Sequence, residues 1–275
     1  MTEMGTTDKN LDVFHATSIT GLNLIAFLLN LGAVAGGENG LFGGKDNAQI
    51  SDEHPTLITP AGWAFSIWGL IFTSEVAFVM WQSLTAGGQS DLVKKGVGPW
   101  FAIACVIQAA WSVAFAQEQF GLSAALLVAI AASLGVAVMG LAPYKTDILT
   151  SVQSLQFWVV HFPIGLHAGW ACAAALVNIS VALEGSPDST KVTALILTLV
   201  LSVQAGCSAV AFYQDQAYLC AIAWALAGIA DKVDVRSGVL SADVAYGMTL
   251  ALQYSWVGLL VIGGMSAVLS VMKKE

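Results

Sequence analysis

Eight predominantly apolar stretches, at about residues 17–36, 60–83, 99–117, 121–141, 155–183, 191–213, 215–231 and 244–271, limit what this chain can become. A helix needs about 20 apolar residues to cross a hydrocarbon core of about 30 Å. Most of these stretches meet that length, and the one at 215–231 is the shortest. No water satisfies the backbone inside lipid, so each crossing must close its own hydrogen bonds as a helix. A soluble globule is excluded by composition: 57% of the 275 residues are hydrophobic and 10% charged, too little polar surface to cover an aqueous exterior. The expected fold class is all-α, a polytopic integral membrane helical bundle of about eight transmembrane helices. Glu3, Asp8 and Asp12, rather than a basic region, precede the first stretch, which therefore reads as a retained span and not a cleaved signal.

The formal net charge is −8 and no Lys/Arg cluster exists, which argues against nucleic acid and against a polybasic surface for lipid headgroups. The bilayer itself is the expected partner. Eight crossings return both termini to one side. Lys9, Lys94, Lys95, Lys145, Lys273 and Lys274 lie on that side, against Lys45, Lys191, Lys232 and Arg236 opposite, a bias that places both termini on the cytoplasmic or equivalent face. The sequence does not choose among a bacterial inner membrane, a mitochondrial membrane and a plastid or thylakoid membrane. Cys105, Cys172, Cys207 and Cys220 fall inside apolar stretches at spacings that match no zinc or haem-attachment motif, and read as small buried hydrophobes. No metal site is expected. Nor is an enzyme: no nucleophile elbow, phosphate loop, Cys–His pair or carboxylate dyad occurs at a meaningful spacing.

Two connections are long, residues 37–59 and 231–243, both opposite the termini. The first mixes glycines with Asp46, Asp52, Glu53 and His54, and reads either as a lid over the bundle mouth or as a solvated acidic linker. Gly165 and Gly169 form a small-xxx-small pair that suits close helix approach. No inverted repeat of the transporter kind is visible.

Several side chains stand out from this apolar background. In HPTLITPAGWAFSIWGLIF, residues 54–72, Thr59 and Pro60 are expected to open a helix whose first turns carry Trp63, Phe65 and Trp68. The two indoles suit either an interfacial aromatic belt or a cavity wall. Pro163, His167, Trp170, Ala174 and Asn178 step by four, three, four and four along one helical face, which is either an internal hydrogen-bond network or the wall of a ligand cavity. His161 points away from that face, so this helix alone builds no two-histidine metal site. Each imidazole can bond a neighbouring helix, or ligate the magnesium of a chlorophyll or the iron of a haem. Glu75, two turns beyond Trp68, is the clearest intramembrane carboxyl; Gln108 and His167 are its candidate partners. Gln108, Trp111 and Phe115 share a face of the third stretch. With Trp63, Trp68 and Trp170 they make either ordinary aromatic packing or a box for a flat conjugated ligand.

The Trp63–Phe65–Trp68 run after a proline-ended loop, Gln108, Trp111, Ser112 and Phe115 in QAAWSVAF, and Pro163, Trp170, Ala174 and Asn178 in the fifth stretch together resemble the tryptophan-rich sensory protein and translocator protein family. The resemblance covers about residues 17–183. Gln108 stands where an Asn is usual, Trp63 and Trp68 sit one residue closer than usual, and the fourth stretch lacks the usual Asp. The resemblance implies a five-helix core with its N-terminal tail at 1–183, and the turn GSPDST then opens a 184–275 extension of about three helices. It also implies a hydrophobic planar ligand, tetrapyrrole (porphyrin, haem or chlorophyll) or sterol-like, bound between helices two, three and five for sensing, transport or sequestration. Its candidate contacts are Trp63, Trp68, Gln108, Trp111, Phe115, His167, Trp170 and Asn178. Two other readings stay open. One is an accessory pigment-binding or scaffold subunit of a larger, for instance photosynthetic, membrane complex, with His161 or His167 as pigment ligand. The other is a proton-coupled secondary transporter using Glu75. A homodimer and a larger assembly are both compatible with the chain.

Overall fold

The computed structural model describes residues 4–144, 155–232 and 240–272, with side chains from residue 19 to residue 269. The apolar stretches form an all-α bundle: α1 (Met4–Glu38), α3 (Ile67–Leu84), α4 (Trp100–Ala116), α5 (Phe120–Leu141), α6 (Phe162–Ala182), α7 (Asp188–Tyr213), α8 (Gln216–Asp231) and α9 (Ala242–Met272). A short helix, α2 (Asn47–Glu53), lies in the first long connection. Among the described residues, six helical stretches are long and apolar enough to cross a membrane, and the helices Trp100–Ala116 and Gln216–Asp231 are apolar but shorter. This is an integral membrane protein. Lys145, Arg236, Lys273, Lys274 and most of the 231–243 connection lie outside the described residues.

Helix α6 is the central post. Its face of Ile164, Ala168, Ala171 and Ala175 joins a core with α1, α3, α4 and α5. Its other face, Leu166, Trp170 and Ala173, joins a second core with α7, α8 and α9. Of its membrane window 72% is buried, against 17% for α9, so α6 is shielded by protein while α9 faces lipid. Steps of three and four place each set on one side of a helix, and an all-round apolar helix can therefore serve two cores.

Helix α8, the shortest apolar stretch, is also enclosed. Ala217, Leu219, Ala221, Ile222, Ala223, Ala225, Leu226, Ile229 and Ala230 are all buried, against α6, α7 and α9. Its 16 residues measure about 24 Å, short of the hydrocarbon thickness, which matters less for a helix whose neighbours meet the lipid. Gly165 and Gly169 explain the close α6–α8 crossing. A Cβ at Gly169 would collide with the Tyr218 carbonyl oxygen, and one at Gly165 with the Asp215 carboxylate.

The start of the second stretch differs from expectation. Thr59 does not cap a helix begun at Pro60: its Oγ1 accepts from the Thr56 N–H at 2.6 Å, within the loop. The chain then enters α3 through a 3₁₀ turn, Gly62–Ser66. Ala61 N donates to the Gly228 carbonyl at 2.9 Å, so the entry is tied to α8 rather than to a local cap.

Candidate functional site

The first long connection carries the lid that the sequence left open. Asp46 caps α2 by accepting from Gln49 N at 2.8 Å, while the Gln49 side chain accepts from Asp46 N at 3.0 Å, a reciprocal capping box. Lys45 bridges Glu53 (2.5 Å) and Glu118 (2.9 Å), the latter in the α4–α5 turn. His54 lies 3.0 Å from Glu184, just past α6, and 3.4 Å from Glu118. Lys232, just past α8, holds Asp52 at 2.8 Å. Charges at the ends of α4, α6 and α8 thus pin one seven-residue helix over the bundle. We call this end the lid side; the α3–α4 and α7–α8 turns lie at the opposite end. Glu53, His54 and Glu118 also bring one ligand atom each within 4.8 Å of one another, but the Lys45 ammonium already supplies a cation there.

Lys45 holds the Glu118 carboxyl below its ordinary range, with His54 adding to the effect, and Glu53 together with Glu118 holds the Lys45 ammonium above its own. The two signs differ. A depressed carboxylate contributes fully above its unfolded value and loses that contribution as pH falls through the folded one. A raised ammonium contributes fully below its unfolded value and loses it as pH rises through the folded one. The latch should therefore be firmest near neutrality and loosen toward both extremes and in high salt. A Ser51→Cys variant reports this, because Ser51 faces inward beneath the lid. Its reaction with a pyridyl disulfide, a reagent active in acid, should quicken as pH falls through the carboxylate range, and Glu118→Gln should abolish much of that acid response. Labelling that ignores pH, salt and Glu118 would mean the ion pairs do not hold the lid.

Beneath α2 lies a cavity of about 50 Å³. Asn47 and Ser51 of the lid form its roof with Pro60, and Phe65 of the 3₁₀ turn forms one wall. Trp111 and Phe115 of α4 stack at 5.3 Å to form another. Trp170, Ala174 and Asn178 of α6 line it along the face expected from their spacing, and Ala225 and Ile229 of α8 close the far side. The lining is almost wholly apolar, yet three of its buried polar atoms, Trp111 Nε1, Trp170 Nε1 and Asn178 Oδ1, have no hydrogen-bond partner.

The other expected residues lie elsewhere. Trp68 sits one layer below, edge-on to Trp170 (6.0 Å) and tilted against Trp111 (6.3 Å), with a further edge contact to His167 at 5.6 Å. His167 Nδ1 is 2.7 Å from Glu75 Oε1, and both side chains are sealed from solvent. Of the two candidate partners, then, His167 holds Glu75. Gln108 instead accepts from Asn30 Nδ2 at 2.8 Å on the α1 side, and does not line the cavity. Trp63 faces outward, 43% exposed, donating to Asp231 Oδ2 at 2.9 Å and packing edge-on against Trp224. That is a rim position of the interfacial kind, a correction to its place in the aromatic box. Trp68 follows Trp63 by five positions, so the 3₁₀-to-α entry turns one indole out and the other in. His161 lies in the π turn Phe157–His161, hydrogen-bonded to the Tyr144 backbone and parallel to Phe157. Nor is the cavity walled by helices two, three and five alone: the lid, α5 through Leu127, and α8 contribute. Nothing in the local sequence marks Ala225, Ile229 or Leu127 for this role. Phe65 was visible within the aromatic run.

A helical membrane bundle with an aromatic cavity under an extramembrane lid is the class of protein that fold and site define. The chain belongs to the family described as TSPO-like protein, which matches residues 20–262 and so runs across residue 184 into the C-terminal helices. Neither the curated proteins nor the solved structures contain a match to it.

Proposed function

We propose that this protein binds a hydrophobic planar molecule, tetrapyrrole or sterol-like, in the cavity beneath α2, in a sensing, transport or sequestering role rather than a catalytic one. The observation that carries this reading is the pairing of aromatic walls with unpartnered polar atoms. Trp111, Phe115, Phe65 and Trp170 offer stacking area, while two indole N–H donors and the Asn178 carbonyl oxygen remain free to orient a ligand. A buried donor without a partner is costly, so a ligand that meets it recovers that free energy.

Size adds a condition. A cavity of about 150 Å³ accommodates benzene, and this one is about 50 Å³. A larger ligand must displace the roof, which means breaking the surface ion pairs of α2 and lifting Ile50 out of the core. Binding is therefore coupled to lifting of the lid.

Trp170→Leu tests the site by removing an aromatic wall while keeping an apolar side chain. Affinity for protoporphyrin, measured by quenching of tryptophan fluorescence, should fall by about 1 kcal/mol or more, roughly fivefold. Trp63→Leu, at the rim, should leave affinity unchanged once its lost fluorescence is allowed for. A folded Trp170→Leu protein that binds like the parent would move the ligand elsewhere.

A further inference from the structure

Helix α9 turns most of its surface away from the bundle. Its inward positions, Ala245, Thr249, Leu252, Leu259 and Gly263, are buried, mostly against α8, while most of its other residues are exposed. In a membrane, lipid covers an outward surface of leucine, valine and methionine. It cannot satisfy an amide. Gln253 is exposed on that surface, and by helical rise it lies within about 4 Å of the middle of the span Ala242–Leu269. At that depth neither water nor acyl chains bond its carbonyl and amino groups.

Other outward or half-buried polar side chains are satisfied within their own helices. Thr73 of α3 donates to the Gly69 carbonyl at 2.7 Å, and Gln204 of α7 donates to the Ser208 hydroxyl at 3.4 Å. On α9 itself Ser255 donates to the Ala251 carbonyl, one turn back, at 2.6 Å. Gln253 differs: among the described residues its side chain has no hydrogen-bond partner. Tyr254 beside it, 74% exposed, adds a phenol at nearly the same depth.

The residues around Gln253 make a seam. Tyr246, Leu250, Gln253, Val257, Leu260 and Gly264 step by four, three, four, three and four, the spacing with which two helices pack along each other in a left-handed pair. Leu250 is half-buried and the other five are exposed. From Tyr246 to Gly264 the seam runs about 27 Å, close to the thickness of the hydrocarbon core. A single polar position in an apolar seam fixes register and partner number.

We propose that this α9 seam is the interface of a homodimer, in which the Gln253 side chains of two copies pair near the membrane midplane. Insertion favours a second copy over any other occupant. Every copy crosses the bilayer in the same direction, so a two-fold axis along the membrane normal sets two α9 helices parallel, with their Gln253 residues at one depth. An amide both donates and accepts, and so complements its own image. A different protein would have to bring a polar group of its own to that depth. Toward the end opposite the lid, Gly264 keeps the seam open to close backbone approach: a Cβ there would meet nothing within 4 Å in the protomer. Among the described residues no part of α9 lines the cavity, so the inference is independent of what the cavity holds.

Subunit counting by single-molecule photobleaching tests this, with the full chain carrying one fluorophore at its N-terminus in phosphatidylcholine vesicles at graded protein-to-lipid ratios. The parent should bleach in two steps. Gln253→Leu should need about tenfold higher protein density to reach the same dimer fraction, the scale of amide bonds across a helix pair. Gly264→Leu should shift the curve the same way by holding the backbones apart, and the open space around Gly264 leaves the protomer undisturbed. Gln204→Leu, on α7, should dimerise like the parent. Single steps at every density for the parent would overturn the proposal. So would dimers that survive both Gln253→Leu and Gly264→Leu unchanged, or that are lost only in Gln204→Leu. Near-ultraviolet circular dichroism of each variant separates a weakened interface from a misfolded protomer.

Discussion

His167→Leu should destabilise the folded protein by about 3 kcal/mol or more, the cost of leaving a buried polar partner alone in a low-dielectric interior. Among the described residues Glu75 Oε1 is hydrogen-bonded to His167 Nδ1, at 2.7 Å, and its other oxygen has no partner. Leucine cannot replace that contact, and the side chain is fully enclosed, so water cannot readily do so. Glu75→Gln should behave differently: the amide keeps the shape and can still bond the imidazole, so stability should stay within about 1 kcal/mol of the parent. Thermal unfolding in lipid-containing detergent, followed by near-ultraviolet circular dichroism, compares the two. Equal unfolding midpoints for His167→Leu and the parent would mean that the pair contributes nothing to the fold.

A loss of similar size is expected from Gly169→Leu. The α6 backbone lies so close to α8 that even a Cβ at residue 169 would strike the Tyr218 carbonyl oxygen, a backbone atom that cannot swing aside. The helices must separate, and overpacking of this kind costs about 1–3 kcal/mol, occasionally more. Because Ala225 and Ile229 of α8 form the far wall of the cavity, that separation should also disturb the environment of Trp170. Gly135→Ala is the control. A Cβ there meets nothing within 4 Å, so the exchange should be neutral or stabilising by up to about 1 kcal/mol. If Gly169→Leu and Gly135→Ala unfold alike, the α6–α8 crossing is looser than described.

The helices themselves were legible in the sequence, because the energy that puts them in a membrane is a sum over local apolar residues. Their arrangement was not. By hydropathy α8 is the weakest crossing, yet it is among the most enclosed, since hydropathy does not distinguish contact with lipid from contact with protein. The face of Trp170, Ala174 and Asn178 was readable from helical spacing, and the structure gathers it with Trp111 and Phe115 around one space. The partner of Glu75 was not readable. Gln108 and His167 were equal candidates until the rotations of α4 and α6 were known, and Asn30, which engages Gln108, gave no signal in its own segment. Trp63 left the aromatic cluster for a similar reason: a short 3₁₀ entry changes the angular phase of every residue before Ile67.

The enclosure of α8 has a consequence for how the protein is made. A segment of 16 residues flanked by Asp215 and Asp231 is a poor candidate for stable partition into lipid on its own. Its alanine-rich surface matches the α6 groove better than it matches acyl chains, and α7 and α9 supply the lipid-facing exterior. Membrane entry of α8 is therefore bound to the presence of α6 and α7 already in place, and to α9 arriving behind it. A chain halted after residue 231 would leave α8 without the α9 neighbour that completes its shield.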